Sequence, residues 1–159
     1  MRIGITGHSN LAADCLDLVR QALADALAPY ADSGLVGVSC LARGADQLFA
    51  EAVLEAGGSL EVVLPSADYR ETKVKPEERE QFDRLLVRSA WVRYMSHLSA
   101  GRQAYEDANE AVIGSVDRLF AVWDGRPAAG RGGTADAVAA ARARGVPVDV
   151  IWPEGARRE

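Results

Sequence analysis

The chain has 159 residues, a length that suits one domain, and 48% of them are hydrophobic, enough for a core between a sheet and its covering helices. Its 18 Lys and Arg against 23 Asp and Glu leave a net charge of -5, so the long-range field repels polyanions and nucleic acid is a disfavoured partner. No apolar run approaches the roughly 20 residues that span a bilayer, and the chain opens on strand-like residues without a charged leader, so no membrane contact and a cytoplasmic location are expected.

In chain order, Arg2 to Thr6 reads as a strand, followed by a glycine turn and a helix from about Leu11 to Ala28. Leu11, Cys15, Leu18, Ala22 and Ala26 recur at three- and four-residue steps on that helix, Ser9 or Asn10 can cap it, and Pro29 ends it. Leu35 to Cys40 is a second strand, and the helix after it starts near Gly44 and buries Ala45, Leu48, Phe49, Ala52 and Val53 before Gly57 and Gly58 stop it. Leu60 to Leu64 is a third strand. Ser66 to Pro76 then reads as a polar loop, longer than most βα connections and so a candidate lid. A charged helix runs from about Glu77 to Ser89, and Trp91 to Met95 forms a fourth strand. Arg102 to Ser115 is a helix, Asp117 to Trp123 a strand, Thr134 to Arg144 a helix ended by Gly145, and Val146 to Trp152 the last strand. Alternating βα units of this kind predict an α/β chain, a Rossmann-like three-layer sandwich over residues 1–159 with a mainly parallel sheet of about six strands. Cys15 and Cys40 lie in apolar stretches without CxxC or Cys/His spacing, which predicts reduced core thiols and no metal site.

In such a sheet the loops at the carboxyl ends of the strands converge on one crevice. Three of them are unusual. Thr6-Gly7-His8-Ser9-Asn10 combines a tight turn with the N–H groups of a following helix, which suit an anion, although an ordinary βα turn has the same form. In Ser39-Cys40-Leu41-Ala42-Arg43-Gly44-Ala45-Asp46, Gly44 permits close backbone approach and Arg43 offers a planar fork of donors to phosphate. Asp46 either meets the ligand or complements the helix dipole. The third loop is Asp124-Gly125-Arg126, followed by Gly130-Arg131-Gly132-Gly133-Thr134 directly before a helix; its consecutive glycines leave N–H groups unobstructed, and Thr134 adds a hydroxyl. No GKS or GKT follows these glycines and no GxGxxG is present, so kinase and NAD-dehydrogenase readings lose support, and no cofactor is expected.

Read together, these loops resemble the SLOG superfamily, the Rossmann-like group that includes the DprA (Smf) proteins, the LOG phosphoribohydrolases, and the YpsA-like and molybdenum-cofactor-carrier proteins. The segment from Ser39 to Asp46 is similar to the SGLARGID segment of DprA, Gly132-Gly133-Thr134 to the GGT element of LOG and carrier proteins, and Tyr105 with Asn109 ahead of Asp117 to Asp124 to the YpsA-like arrangement. The resemblance implies that Gly7, His8, Ser9, Arg43, Gly44, Asp124, Gly132, Gly133 and Thr134 line a nucleotide pocket, with Asp124 near the sugar or base. LOG enzymes carry PGGxGTxxE, whose glutamate takes part in cleaving the N-glycosidic bond; here the third position after Thr134 is Ala137, and Asp136 is shifted by one residue, about 100° around the helix.

The leading expectation is therefore a sensor or carrier that binds a nucleotide or related phosphorylated small molecule at the C-terminal edge of the sheet. A nucleoside-monophosphate N-glycoside hydrolase using Asp136 or Asp46 is the alternative, and single-stranded DNA binding in the manner of DprA, resting on the Arg43 segment, is the third. Of the remaining residues, His97 lacks a metal-spaced partner and is assigned to the surface or a loop. Tyr69 could stack on a base or anchor the lid, and Leu85, Leu86 and Val87 need something to pack on, a second subunit being one candidate.

Overall fold

The computed structural model describes residues 1–127 and 133–159. Six strands, β1 (Arg2–Gly7), β2 (Val36–Ser39), β3 (Ser59–Leu64), β4 (Trp91–Tyr94), β5 (Arg118–Val122) and β6 (Val148–Val150), form one sheet in the order β4-β3-β2-β1-β5-β6. Every neighbouring pair is parallel. The helices are α1 (Leu16–Leu27), α2 (Ala45–Glu55), α3 (Tyr69–Lys73), α4 (Arg79–Arg88), α5 (Arg102–Ile113) and α6 (Thr134–Ala143).

Strands buried on both faces need apolar residues at successive positions, and VVL of β3 and LFAV of β5 meet that need. On one face Val19, Leu23 and Leu27 of α1 and Phe49 and Val53 of α2 pack against Ile3, Ile5 and Phe120; Phe49 meets Phe120 edge-on at 6.1 Å. On the other, Ala108 and Val112 of α5 and Ala141 of α6 cover Val38, Val63 and Leu119. The result is a Rossmann-like α/β sandwich. The chain winds outward from β1 to β4, and α5 returns it to the far side of β1, so the direction of winding reverses between β1 and β5. That reversal opens a crevice at the carboxyl ends of these two strands.

Several elements differ from the sequence reading, each for a local reason. The first helix begins at Leu16, after a 3-10 turn at Ala13–Cys15, because Ala12 is extended and donates its N–H to the Arg157 carbonyl at 2.9 Å. Ser9 and Asn10 therefore do not cap it. Its buried stripe is Val19, Leu23 and Leu27, while Leu18 is 43% exposed. The polar loop after β3 is largely ordered, with Tyr69 of α3 buried against Phe82 and Tyr105, and Ala67 and Asp68 hydrogen-bonded to His97 and Ala100. Tyr69 is thus an anchor and is not available to stack on a base. Leu85 is buried in the chain's own core and Leu86 packs against it, so of the three residues expected to need a partner only Val87 is exposed. His97 lies in a loop as expected, half-buried and bonded to Asp107 at 2.6 Å. Cys15 is in the core, whereas Cys40 is only partly buried and reaches the crevice wall.

The turn after β1 and the start of α2 lie in direct backbone contact. A Cβ on Gly7 would fall 2.4 Å from the Ala45 Cβ. Gly44 has φ +85, and a Cβ there would stand 2.7 Å from the His8 carbonyl oxygen and 2.9 Å from that of Ser9. Ala45 N–H donates to the same His8 carbonyl at 3.3 Å. Gly44→Ala is expected to lower unfolding free energy by about 2–4 kcal/mol in urea denaturation, combining a disfavoured φ with a backbone clash. Gly57→Ala, at φ +82 with nothing within 4 Å, should cost only about 1 kcal/mol. Equal costs would contradict the contact.

Candidate functional site

The crevice at the β1/β5 reversal holds a cavity of about 340 Å³, within the range of small-ligand sites. Its wall is assembled from Thr6, Gly7, His8, Ser9 and Asn10 after β1, Cys40, Ala42 and Asp46 around the β2–α2 turn, Trp123, Arg126 and Pro127 after β5, and Gly133, Thr134 and Ala135 at the start of α6. Tyr105 and Asn109, one turn apart on α5, also face it, and Arg158 arrives from the C-terminal segment.

Gly133 is the N-cap of α6 and offers no side chain to its first turn. The N–H groups of Thr134 and Ala135 therefore have no intrahelical acceptor, and the partial positive charge of the helix start falls on the crevice. Thr134 itself is buried. Across from it His8 is buried, with Nε2 accepting the Asp124 N–H at 3.2 Å, which leaves the ring proton on Nδ1 in the neutral form. Trp152 meets the imidazole edge-on at 5.6 Å. Burial, then the charge of Arg158, lowers the His8 pKa, and Asp124, 3.3 Å from Nε2, only partly opposes them. His8 is thus neutral at physiological pH.

Asp124 does not line the cavity. It stands behind His8, and one of its oxygens accepts the Arg126 N–H at 3.0 Å. Burial pushes its pKa up, but the Arg126 N–H, His8 and Arg158 outweigh burial and hold it below the usual value, so it is an ionised support for the loop. Asp46 is the one carboxylate among the described lining residues. Burial raises its pKa to about 7, against the opposing N–H groups of Ala42 and Cys40. Burial, then the nearby Asp46, raises the Cys40 thiol, which stays protonated.

Of the residues expected from the sequence, Gly7, His8, Ser9, Asp46, Gly133 and Thr134 are brought together around this space. Arg43 and Gly44 line a separate hollow of about 180 Å³ on the other side of the Ser9 turn. The Arg43 guanidinium pairs there with Glu78 at 3.2 Å and Glu159 at 3.5 Å, outside the β1/β5 crevice. Asp136 is exposed on α6 and absent from the described lining. Gly132 lies outside the described residues. Asn10, Trp123, Arg126 and Arg158 also line the cavity, although the family resemblance assigns none of them to it. Arg126 sits in the Asp124-Gly125-Arg126 turn and could have been read from it, whereas no local signal marks Arg158.

No family model and no curated protein matches the chain. Solved structures do. DNA processing protein A (DprA) from Streptococcus pneumoniae superposes with a TM-score of 0.68 at 16% identity, over 94% of this chain and 49% of that one. DprA from Helicobacter pylori, described for its single-stranded DNA binding mode, gives 0.66 at 16% identity, over 94% and 64%. The molybdenum cofactor binding protein of Rippkaea orientalis gives 0.60 at 18% identity, over 94% and 74%. The chain shares the fold of these proteins. The chain spans about half of the pneumococcal protein and 64% of the Helicobacter one, and the likeness extends to proteins described as binding a small cofactor and as binding DNA. No helix among the described residues is long and apolar enough to cross a membrane.

The Asp46 shift has a definite sign. Because the folded carboxyl has a pKa of about 7 against an ordinary 3.8, the folded chain holds a proton between those values that the unfolded chain has lost. Stability from this group is complete below 3.8 and falls as pH rises towards 7. Asp46→Asn should remove that component: from about pH 5 to about pH 8 the wild type should lose on the order of 2 kcal/mol relative to the variant. Parallel urea-denaturation profiles across this range would contradict the assignment.

Proposed function

We propose that residues 1–159 form one unit that binds a nucleotide or a related phosphorylated small molecule in the β1/β5 crevice, as a sensor or carrier. The observation that carries this reading is the chemistry of the wall. In a chain of net charge -5, the crevice gathers two arginines, the open start of α6 and a buried neutral histidine, with one carboxylate held near neutrality by burial. An anionic group would meet donors there, and Trp123, Tyr105 and Pro65 offer apolar surface to the rest of the ligand. A neighbour described as binding molybdenum cofactor supports a small-molecule guest.

A thermal-shift screen of nucleoside mono-, di- and triphosphates and phosphorylated sugars tests the reading. At a concentration about 100 times Kd, binding should raise the unfolding midpoint by roughly 5–10 °C. No shift with any of these compounds at millimolar concentration would remove the proposal.

Asp46 alone favours the hydrolytic alternative, because it is a carboxyl inside the crevice with a pKa suited to proton transfer near pH 7. Two of its acceptor positions are already taken by backbone N–H groups, and Asp136 is not at hand to assist, so binding without turnover is the reading we prefer. Incubation of nucleoside monophosphates with concentrated protein should release no free base by chromatography. Release that disappears in Asp46→Asn would reverse the preference. The DprA neighbours keep single-stranded DNA among the candidate partners, but the pairing of Arg43 with Glu78 and Glu159 takes from that reading the cation on which it was built.

A further inference from the structure

We propose that Arg158 is an anion-binding residue of the crevice, carried there by the pairing of residues 157–159 with the turn after β1. This role rests on the reading of the crevice as a phosphate-binding site and names one of the groups that would do the binding.

The placement follows from backbone hydrogen bonds. Leu11 and Arg158 form an antiparallel bridge. Ala12 N–H donates to the Arg157 carbonyl at 2.9 Å, and Glu159 N–H to the Asn10 carbonyl at 2.7 Å. Extended residues alternate in direction, and these do: Arg157 pairs with Asp14, Arg158 enters the crevice, and Glu159 reaches Arg43 on the other side. The same bonds keep residues 8–12 from joining α1, so the segment that delivers the cation also shapes the turn that faces it.

The guanidinium is oriented but not used up. Its Nε–H donates to the Asn10 Oδ1 at 3.0 Å. Its Nη1 stands 3.7 Å from Asp124 Oδ2, too far for a hydrogen bond. Among the described residues no other acceptor engages it, so the terminal N–H groups are available to a phosphate in the planar fork that arginine provides. Arg126, the other cation on the wall, is exposed, and among the described residues no ion pair fixes its direction.

Arg158 also acts on His8. The charged groups that face the imidazole are Asp124 after β5 and Arg158, with Trp152 after β6 supplying a ring contact. Removing the guanidinium charge takes away a repulsion of the protonated ring, so the His8 pKa should rise. A bound dianion should raise it in the same direction.

The test uses isothermal titration of the full chain with AMP and with inorganic pyrophosphate, and NMR titration of the His8 ring. Arg158→Gln should weaken both ligands about tenfold or more, and Arg158→Lys should recover part of the loss. Arg157→Gln, whose side chain points away, should bind like the wild type. The His8 pKa should be higher in ligand-free Arg158→Gln than in the wild type, a change that loss of a merely structural contact would not direct. Wild-type affinity in Arg158→Gln, or an equal loss in Arg157→Gln, would overturn the role of Arg158 while leaving the crevice reading intact. A wild type that binds neither AMP nor pyrophosphate would overturn the crevice reading and this role with it.

Discussion

The contact between the turn after β1 and the start of α2 is the constraint on which the crevice depends. Gly7 lies against the Ala45 Cβ and Gly44 against the carbonyls of His8 and Ser9, at distances that leave no room for a side chain. Because the two backbones touch, His8 is pressed inward between Asp124 and Trp152, and Asp46, two residues into the neighbouring helix region, is carried to the wall beside Cys40 and Ala42. Gly44 thus serves the site from behind: it fixes where the loops stand and lines a different hollow.

Electrostatics follow from that packing. The crevice contains an imidazole and a carboxyl whose burial moves each towards its uncharged form, His8 by lowering its proton affinity and Asp46 by raising it. Charge is supplied instead by groups with partly exposed side chains, Arg126 and Arg158, and by the N-terminal end of the α6 dipole. Within a chain of net negative charge, the crevice therefore gathers positive charge without an extended basic patch.

The alternation of βα units was legible from the sequence, down to the weak edge strand at Trp91–Tyr94 and the turn glycines, because period and punctuation are local properties. The convergence of Gly7, Asp46 and Thr134 on one rim was legible for a different reason: in a parallel sheet every strand ends on the same side. What could not be read was set by long-range partners. The late start of α1 depends on a hydrogen bond from Ala12 to Arg157. Arg43 was read as a phosphate donor from its loop, but Glu78 and Glu159 claim it from elsewhere in the chain. Leu18 fits a helical stripe by spacing, yet the stripe that faces the sheet passes through Val19, Leu23 and Leu27, with Ala22 and Ala26 partly buried beside it.

The bridge between Leu11 and Arg158 joins positions separated by nearly the whole chain, and the pairing of β1 with β5 spans almost as much. Contacts of such sequence separation form late, since closure of a long loop must precede any gain from them. The crevice is therefore a property of the finished molecule alone. Partly folded forms would present its wall on disconnected segments, so a ligand of the proposed kind would find the site assembled only once the last connection closes, and its binding would report on the completed native topology.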